Sequence, residues 1–298
     1  MAINRRDFGR AVAGAVAGTI LSSAEGVHAA VPATTEPFPL SVMLWTIYRD
    51  LPFEQRLDKV GQAGYHAVEL VGEFKDWSDA NFQAANRKKR ELGITFDATA
   101  GLHRSLTDPA DRDAFLDEIR AMLTVMDKLE CTKLIVLSGN KVPSMSHEDQ
   151  SKSCVEGLKR AADLASKKNV ELLLENIDPE ENPKYFLTSV SEGFDIVREI
   201  GSPHVRFLYD FFHEQISEGN LIEKLEKNID VVGLVHVADV PGRHEPGTGE
   251  IHYPNIYRKL AQLKYDRYCA MEFLPTGDPV NSLRAAREEV IRAVSQST

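Results

Sequence analysis

Cysteine is scarce in this chain: three residues among 298, at positions 131, 154 and 269. An odd number at those spacings fits neither a CxxC motif nor a disulfide framework. Cys131 borders one apolar run and Cys269 lies within another, so buried thiols are expected. Basic charge is also in deficit. Lys and Arg number 35 against 45 Asp and Glu, for a net charge of −10. Binding a phosphate backbone needs clustered Lys and Arg, so nucleic acid is excluded as the main partner. A single local Arg can still hold an anionic small molecule. No GxGxxG follows the first strand-like run, which argues against an open sheet built to bind a dinucleotide. No low-complexity or charge-biased segment marks a second domain. The chain as a whole is 43% hydrophobic and 27% charged, the composition of a soluble globular enzyme.

The amino terminus differs from the rest. Met1–Arg10 reads MAINRRDFGR, followed by the Ala/Gly-rich AVAGAVAGTIL and then SSAEGVHAA. A basic segment, a short apolar segment and the small residues around Val27-His28-Ala29 match a cleaved export signal. The RRDFG string resembles a twin-arginine signal. The apolar part is too short and too weakly apolar for a membrane span, so no stable membrane insertion is expected after processing. The expected organisation is a signal over 1–29, a Pro/Thr-rich linker over 30–39 and one catalytic domain over 40–298, exported to the periplasm. The alternative is an uncleaved basic terminus.

From residue 40 the chain alternates short apolar runs with amphipathic helical stretches. The runs are SVMLWTI, HAVEL, ITFDATAG, TKLIVLSG, ELLLEN, VRFLYDFFH, VVGLVHVAD and YCAMEF. They are continuous rather than alternating, as parallel strands buried on both faces require. Helical patterns such as FEQRLDKVGQAG and DRDAFLDEIRAMLTVMDKLE separate them. Eight strand–helix units predict an α/β fold, a single closed (β/α)₈ barrel, which needs about 250 residues.

In such a barrel the chemistry gathers at the carboxyl ends of the strands. Strand five ends in Glu175, strand six in Asp210 with His213 three residues on, strand seven in His236 and Asp239, and strand eight in Glu272. A carboxylate beside an apolar strand is costly unless paired or bound to a cation. Structural ion pairs with Lys or Arg are one solution. Four adjacent strands carrying such groups at the same end favour the other, a divalent metal ion held by Glu175, Asp210, His236 and Glu272. Three carboxylates and an imidazole suit Mn²⁺ or Mg²⁺, with Zn²⁺ or Co²⁺ as alternatives. The following loop, VPGRHEPGTGEIHY, carries Arg243, which can grip a substrate carboxylate or hydroxyl. His103, after strand three, is a candidate pocket residue. Trp45 is a candidate apolar wall, and Glu69 a partner for a basic group or for substrate. His147 reads as a surface residue at a helix start, and Phe211 and Phe212 as packing.

The string HVADVPGRHEPGTGEIHY resembles the strand-seven signature of hydroxypyruvate isomerases, within the xylose isomerase-like TIM barrel superfamily of sugar isomerases and epimerases. LLLEN, LYDFFH and AMEF agree with it in order, and the resemblance runs from about Pro39 to the end of the chain. It implies metal ligation by Glu175, Asp210, His236 and Glu272, and substrate contacts from His213 and Arg243. It also implies isomerisation of a small 2-hydroxycarbonyl or sugar substrate through an enediolate, with Glu175 and Glu272 exchanging the proton. A histidine at position 236, where hydroxypyruvate isomerases often carry Gln, points toward the epimerase branch. Alternatives are a sugar epimerase, a dehydratase or lyase on the same barrel, or a non-catalytic periplasmic sugar-binding protein. Oligomeric state is left open, a homo-oligomer included.

Overall fold

The computed structural model describes residues 36–296; the expected export signal lies outside them. The strands are β1 (Leu40–Met43), β2 (Ala67–Val71), β3 (Thr95–Ala100), β4 (Lys133–Leu137), β5 (Glu171–Glu175), β6 (Val205–Asp210), β7 (Val232–Val237) and β8 (Cys269–Met271). Each pairs in parallel with the next, and β8 pairs with β1, closing the barrel. Around it run α1 (Phe53–Gln62), α2 (Asp79–Leu92), α3 (Arg112–Leu129), α4 (His147–Ser166), α5 (Val190–Ile200), α6 (Phe211–Ser217), α7 (Leu221–Asn228), α8 (Tyr253–Gln262) and α9 (Pro279–Ser295). Among the described residues no helix is long and apolar enough to cross a membrane.

The eight apolar runs all became strands, with two differences at their ends. Phe211, Phe212 and His213 leave strand six and open α6, because Asp210 turns its side chain onto the Phe212 N–H at 2.8 Å and caps the helix. Residues Leu44–Thr46 form a 3₁₀ turn, so Trp45 stands past the end of β1. Helix α2 packs partly through polar groups. Its buried face includes Asn86 and Lys89, whose amide and ammonium groups donate to the carbonyls of Lys128 and Leu129. Packing also begins earlier than the linker reading placed it: Phe38 is buried against Tyr257 and Tyr265.

Two apolar layers result. The larger fills the space between sheet and helices. The smaller plugs the barrel interior and takes Met43, Ala98, Ile135, Leu173, Leu208, Leu234 and Ala270 from seven strands. Strand side chains alternate between faces, so the residue two positions on points the same way one layer higher. Two beyond Leu173, Leu208, Leu234 and Ala270 stand Glu175, Asp210, His236 and Glu272. Two beyond Ala98 and Ile135 stand Ala100 and Leu137, and Trp45 packs against the same plug. The mouth of the barrel is therefore ionic over strands five to eight and apolar over strands one, three and four. All three cysteines are free and buried, as expected of Cys131 and Cys269.

Candidate metal centre

Glu175, Asp210, His236 and Glu272 are all buried, and one ligand atom from each lies within 4.8 Å of the others. The backbone accounts for this convergence. Asp210 and His236 are register partners across β6 and β7. Glu175 ends β5, and Glu272 follows β8 with its N–H on the Val237 carbonyl at 3.0 Å.

One side of His236, Asp210 and Glu272 is held from behind. His236 Nε2 lies 2.9 Å from Oε2 of Glu69 on β2. A carboxylate only accepts, so Nε2 donates to Glu69 and Nδ1 faces the cluster. Nδ1 stands 2.6 Å from Glu272 Oε2, 3.7 Å from Glu175 Oε1 and 4.0 Å from Asp210 Oδ2. Asp210 spends Oδ1 on its helix cap. Glu272 Oε1 accepts the indole N–H of Trp45 at 2.8 Å. The opposing atoms Asp210 Oδ2, His236 Nδ1 and Glu272 Oε2 are fully buried, and none makes an aligned hydrogen bond. Three buried polar atoms turned toward one point, none with an aligned hydrogen bond, fit a cation site. The donor set fits a hard divalent ion, and among the described residues no cysteine belongs to it.

Arg243 borders the centre. Its guanidinium lies between the rings of Trp45 and Phe212, 5.5 and 5.0 Å from their centroids. Nη1 reaches Glu181 at 2.8 Å, and Nη2 reaches Glu272 at 2.9 Å and Asp210 at 3.5 Å. The loop that carries it is built on Asp239. This buried carboxylate accepts four backbone N–H groups: Val240 and Ile251 on Oδ1, Gly247 and Gly249 on Oδ2, all at 2.9–3.0 Å. A side chain at Gly249 would place its Cβ 2.0 Å from the Val240 carbonyl oxygen, so only glycine lets the loop fold back this closely. Arg243 itself takes a left-handed backbone, with φ of 57°. His213 is also buried. Its Nδ1 donates to Asp178 at 2.7 Å, which leaves Nε2 turned toward Asp210 at 3.5 Å.

Burial pushes the Glu175 carboxyl up to about 8, against the pull of His236. Burial would raise Glu272 too, but Arg243 and His236 outweigh it and hold Glu272 well below the usual carboxylate range. Burial opposes charge on His236 and on His213. The carboxylates of Glu69 and Glu272 overcome it at His236, and Asp210 and Asp178 overcome it at His213, which rises to about 9.

Of the residues singled out in the sequence, the structure gathers Glu175, Asp210, His236, Glu272, His213 and Arg243. His103 stands apart. Its side chain is exposed, has no partner among the described residues, and lines a separate cavity with Asn140 and Asn182. Glu69 meets a basic group, His236. Trp45 is a hydrogen-bond donor to Glu272 as well as a wall, and Phe212 flanks Arg243. His147 is the exposed first residue of α4. Asp178 and Glu181 were missed. The signal available was ENIDPEEN, where an Asp three residues past Glu175 caps its own turn by accepting the N–H groups of Glu180 and Glu181.

The closed parallel barrel carries at its carboxyl-end mouth a buried carboxylate–imidazole cluster that could hold a metal ion. Residues 57–293 match the family described as xylose isomerase-like TIM barrel, and the chain belongs to that family. It is 26% identical over 239 residues to the hydroxypyruvate isomerase of Escherichia coli strain K12, covering 79% of this chain and 93% of that protein. It is 27% identical over 246 residues to the 2-oxo-tetronate isomerase of Haemophilus influenzae, covering 80% and 95%. Among solved structures it resembles the family 2 AP endonuclease of Brucella melitensis, with a TM-score of 0.75, 23% identity and coverage of 84% and 97%. At that identity the likeness concerns the fold alone.

Proposed function

We propose that the protein is a metal-dependent isomerase of a 2-hydroxycarbonyl substrate. The observation that carries this reading is the convergence of Asp210 Oδ2, His236 Nδ1 and Glu272 Oε2, buried and without an aligned hydrogen bond, on a point beside Glu175. The isomerase activities named for the relatives from E. coli and H. influenzae support it. Glu175, Asp210, His236 and Glu272 hold the ion, Mn²⁺ or Mg²⁺ by the hardness of the set. Bound there, the ion supplies Lewis-acid polarisation of the substrate carbonyl.

The protein groups divide the remaining work. One of Glu175 and Glu272 takes the proton from the carbon beside the carbonyl, and the other returns a proton to the neighbouring carbon. In the metal-free chain their environments differ: Arg243 and His236 hold the Glu272 carboxyl low, and burial pushes the Glu175 carboxyl up. The group that takes the proton in one direction returns it in the other. Arg243, fixed between Trp45 and Phe212, and His213, oriented by Asp178, offer donors to substrate oxygens as negative charge develops on them.

The deciding experiment measures bound metal and isomerase activity in Glu175→Gln and Glu272→Gln. Full activity in either variant overturns the mechanism. In the same reading the chain is exported through the twin-arginine route, an assignment that Arg5→Lys with Arg6→Lys and cell fractionation would test.

A further inference from the structure

Strand β3 sends a carboxyl group into the apolar interior of the barrel. Val68 pairs with Phe96 and Glu69 with Ala98, so Asp97 is one residue too many for β2. A bulge of this kind re-aims the side chain of its extra residue. Phe96 packs between sheet and helices, and Ala98 belongs to the interior plug. Asp97 turns inward as well, because its Oδ1 accepts the Ser41 hydroxyl at 2.5 Å. Ser41 stands two residues before Met43 of the plug and shares its face. Asp97 is 2% exposed, and Ser41 and Glu69 are fully buried.

Glu69 has the same surroundings. Its register partners are Met43 on one side and Ala98 on the other, both in the plug. Its Oε2 meets His236, and its Oε1 is buried without a hydrogen-bond partner. Asp97 Oδ2 is buried without a partner too. Two carboxyl groups on adjacent strands thus each have one satisfied oxygen and one orphan. Glu69 has His236 as its ion-pair partner, and Asp97 has none among the described residues. The Lys133 ammonium acts on Asp97 only from a distance and lies over the Tyr268 ring.

Two buried carboxyl groups that share one imidazole cannot both ionise without a large cost. Burial first, and the charge of Glu69 second, push the Asp97 carboxyl well above the usual carboxylate range, against the pull of Ser41. A carboxyl group that keeps its hydrogen becomes a donor, and the orphan oxygen of Glu69 needs one.

We propose that Asp97 is a positioning residue of the metal centre: its Oδ2 carries a hydrogen and donates it to Oε1 of Glu69, fixing the carboxylate that holds His236. Ser41, Asp97, Glu69 and His236 then form one hydrogen-bonded chain from β1 through the interior to the cluster. Asp97 itself has no hydrogen bond or ion pair to the four ligands, so it acts on metal affinity through Glu69 and His236. The proposal rests on reading the cluster as a metal site.

The test compares Asp97→Asn with Asp97→Leu. The amide keeps both bonds: its carbonyl accepts from Ser41, and its N–H₂ group donates to Glu69. Infrared difference spectra of the metal-free proteins, wild type minus Asp97→Asn, should show the C=O stretch of a carboxylic acid, with a shift in D₂O. Mn²⁺ affinity, read by competition against a chelator, should stay close to wild type in Asp97→Asn. In Asp97→Leu it should fall by about tenfold, the low end for losing a group that supports a ligand. A difference spectrum without the acid band overturns the proposal, because Asp97 would then be ionised. So does an Asp97→Asn protein that loses as much affinity as Asp97→Leu, or a folded Asp97→Leu protein that loses none. If Asp97→Leu does not fold, the acid band and the affinity of Asp97→Asn decide. A wild type that binds no Mn²⁺ sinks the metal reading, and the role of Asp97 with it. A missing acid band beside tight Mn²⁺ binding sinks this proposal alone.

Discussion

The indole N–H of Trp45 donates to Glu272 Oε1 at 2.8 Å, tying the turn after the first strand to the residue after the last. The bond takes one oxygen of Glu272 and leaves the other facing His236 Nδ1 at 2.6 Å. Trp45→Phe keeps an aromatic wall beside Arg243 and removes the donor. A hydrogen bond to a charged group is worth about 1.5–3 kcal/mol, so kcat should fall by about tenfold or more while bound metal is retained. Steady-state kinetics with metal analysis on the same preparation would show this.

Glu69 acts on the metal through His236. With its Oε2 2.9 Å from Nε2, it fixes the hydrogen on that nitrogen and makes Nδ1 a better donor to a cation. Glu69→Gln should weaken Mn²⁺ affinity by about 10–100-fold, the usual effect of removing such a partner. Competition against a metallochromic chelator would measure it.

The proposed acid and base should be the least replaceable residues. Glu175→Gln and Glu272→Gln should each lower isomerase turnover by about 10²–10⁴-fold, the range for general acid–base groups. Exchange of solvent deuterium into the substrate should be lost together with turnover.

The metal-free protein should show a stability profile that depends on Glu175. Its carboxyl, pushed up to about 8 by burial, has a folded-state pKa above the unfolded value of about 4.3. The folded chain therefore holds a proton that the unfolded chain has lost. This contribution is fully present below about 4.3 and is lost as pH rises through about 8. Glu175→Gln, which cannot ionise, should remove that part of the decline. Comparing Tm against pH for the two proteins without metal would isolate it, and Mn²⁺ should restore the wild type at high pH with release of protons.

Asp239 should matter as much to the loop as the metal residues do to the centre. In Asp239→Asn one oxygen becomes an N–H₂ group that cannot accept from Gly247 and Gly249. Leaving two buried N–H groups facing a donor should cost about 2–3 kcal/mol, readable by urea denaturation. Because Arg243 rides on this loop, KM should rise as well.

The barrel was legible because each strand is a short, unbroken apolar run, and the cluster was legible because polar residues ended four such runs. Boundaries were less so where a side chain intervened: Asp210 caps α6 and turns Phe211 to His213 out of the strand. Helix α2 was obscured because it packs through the amide of Asn86 and the ammonium of Lys89, which a hydrophobic pattern does not register. Asp178 and the second function of Trp45 were hidden for a related reason. Each acts on a residue far away in sequence, His213 and Glu272, and only closure of the barrel brings the pair together. His103 was chosen for its place after strand three; it is exposed and lines a cavity apart from the cluster.

The division of the mouth into an ionic semicircle and an apolar one has a consequence for how the molecule can change. Strands five to eight carry the groups that a reaction cannot lose, while the Ala100 and Leu137 positions and the loops beyond them touch none of those groups. Substitutions on that second arc can reshape what enters without disturbing what happens to it. A single scaffold can thus be retuned to a new substrate in small, separately viable steps, with its reaction preserved at each one.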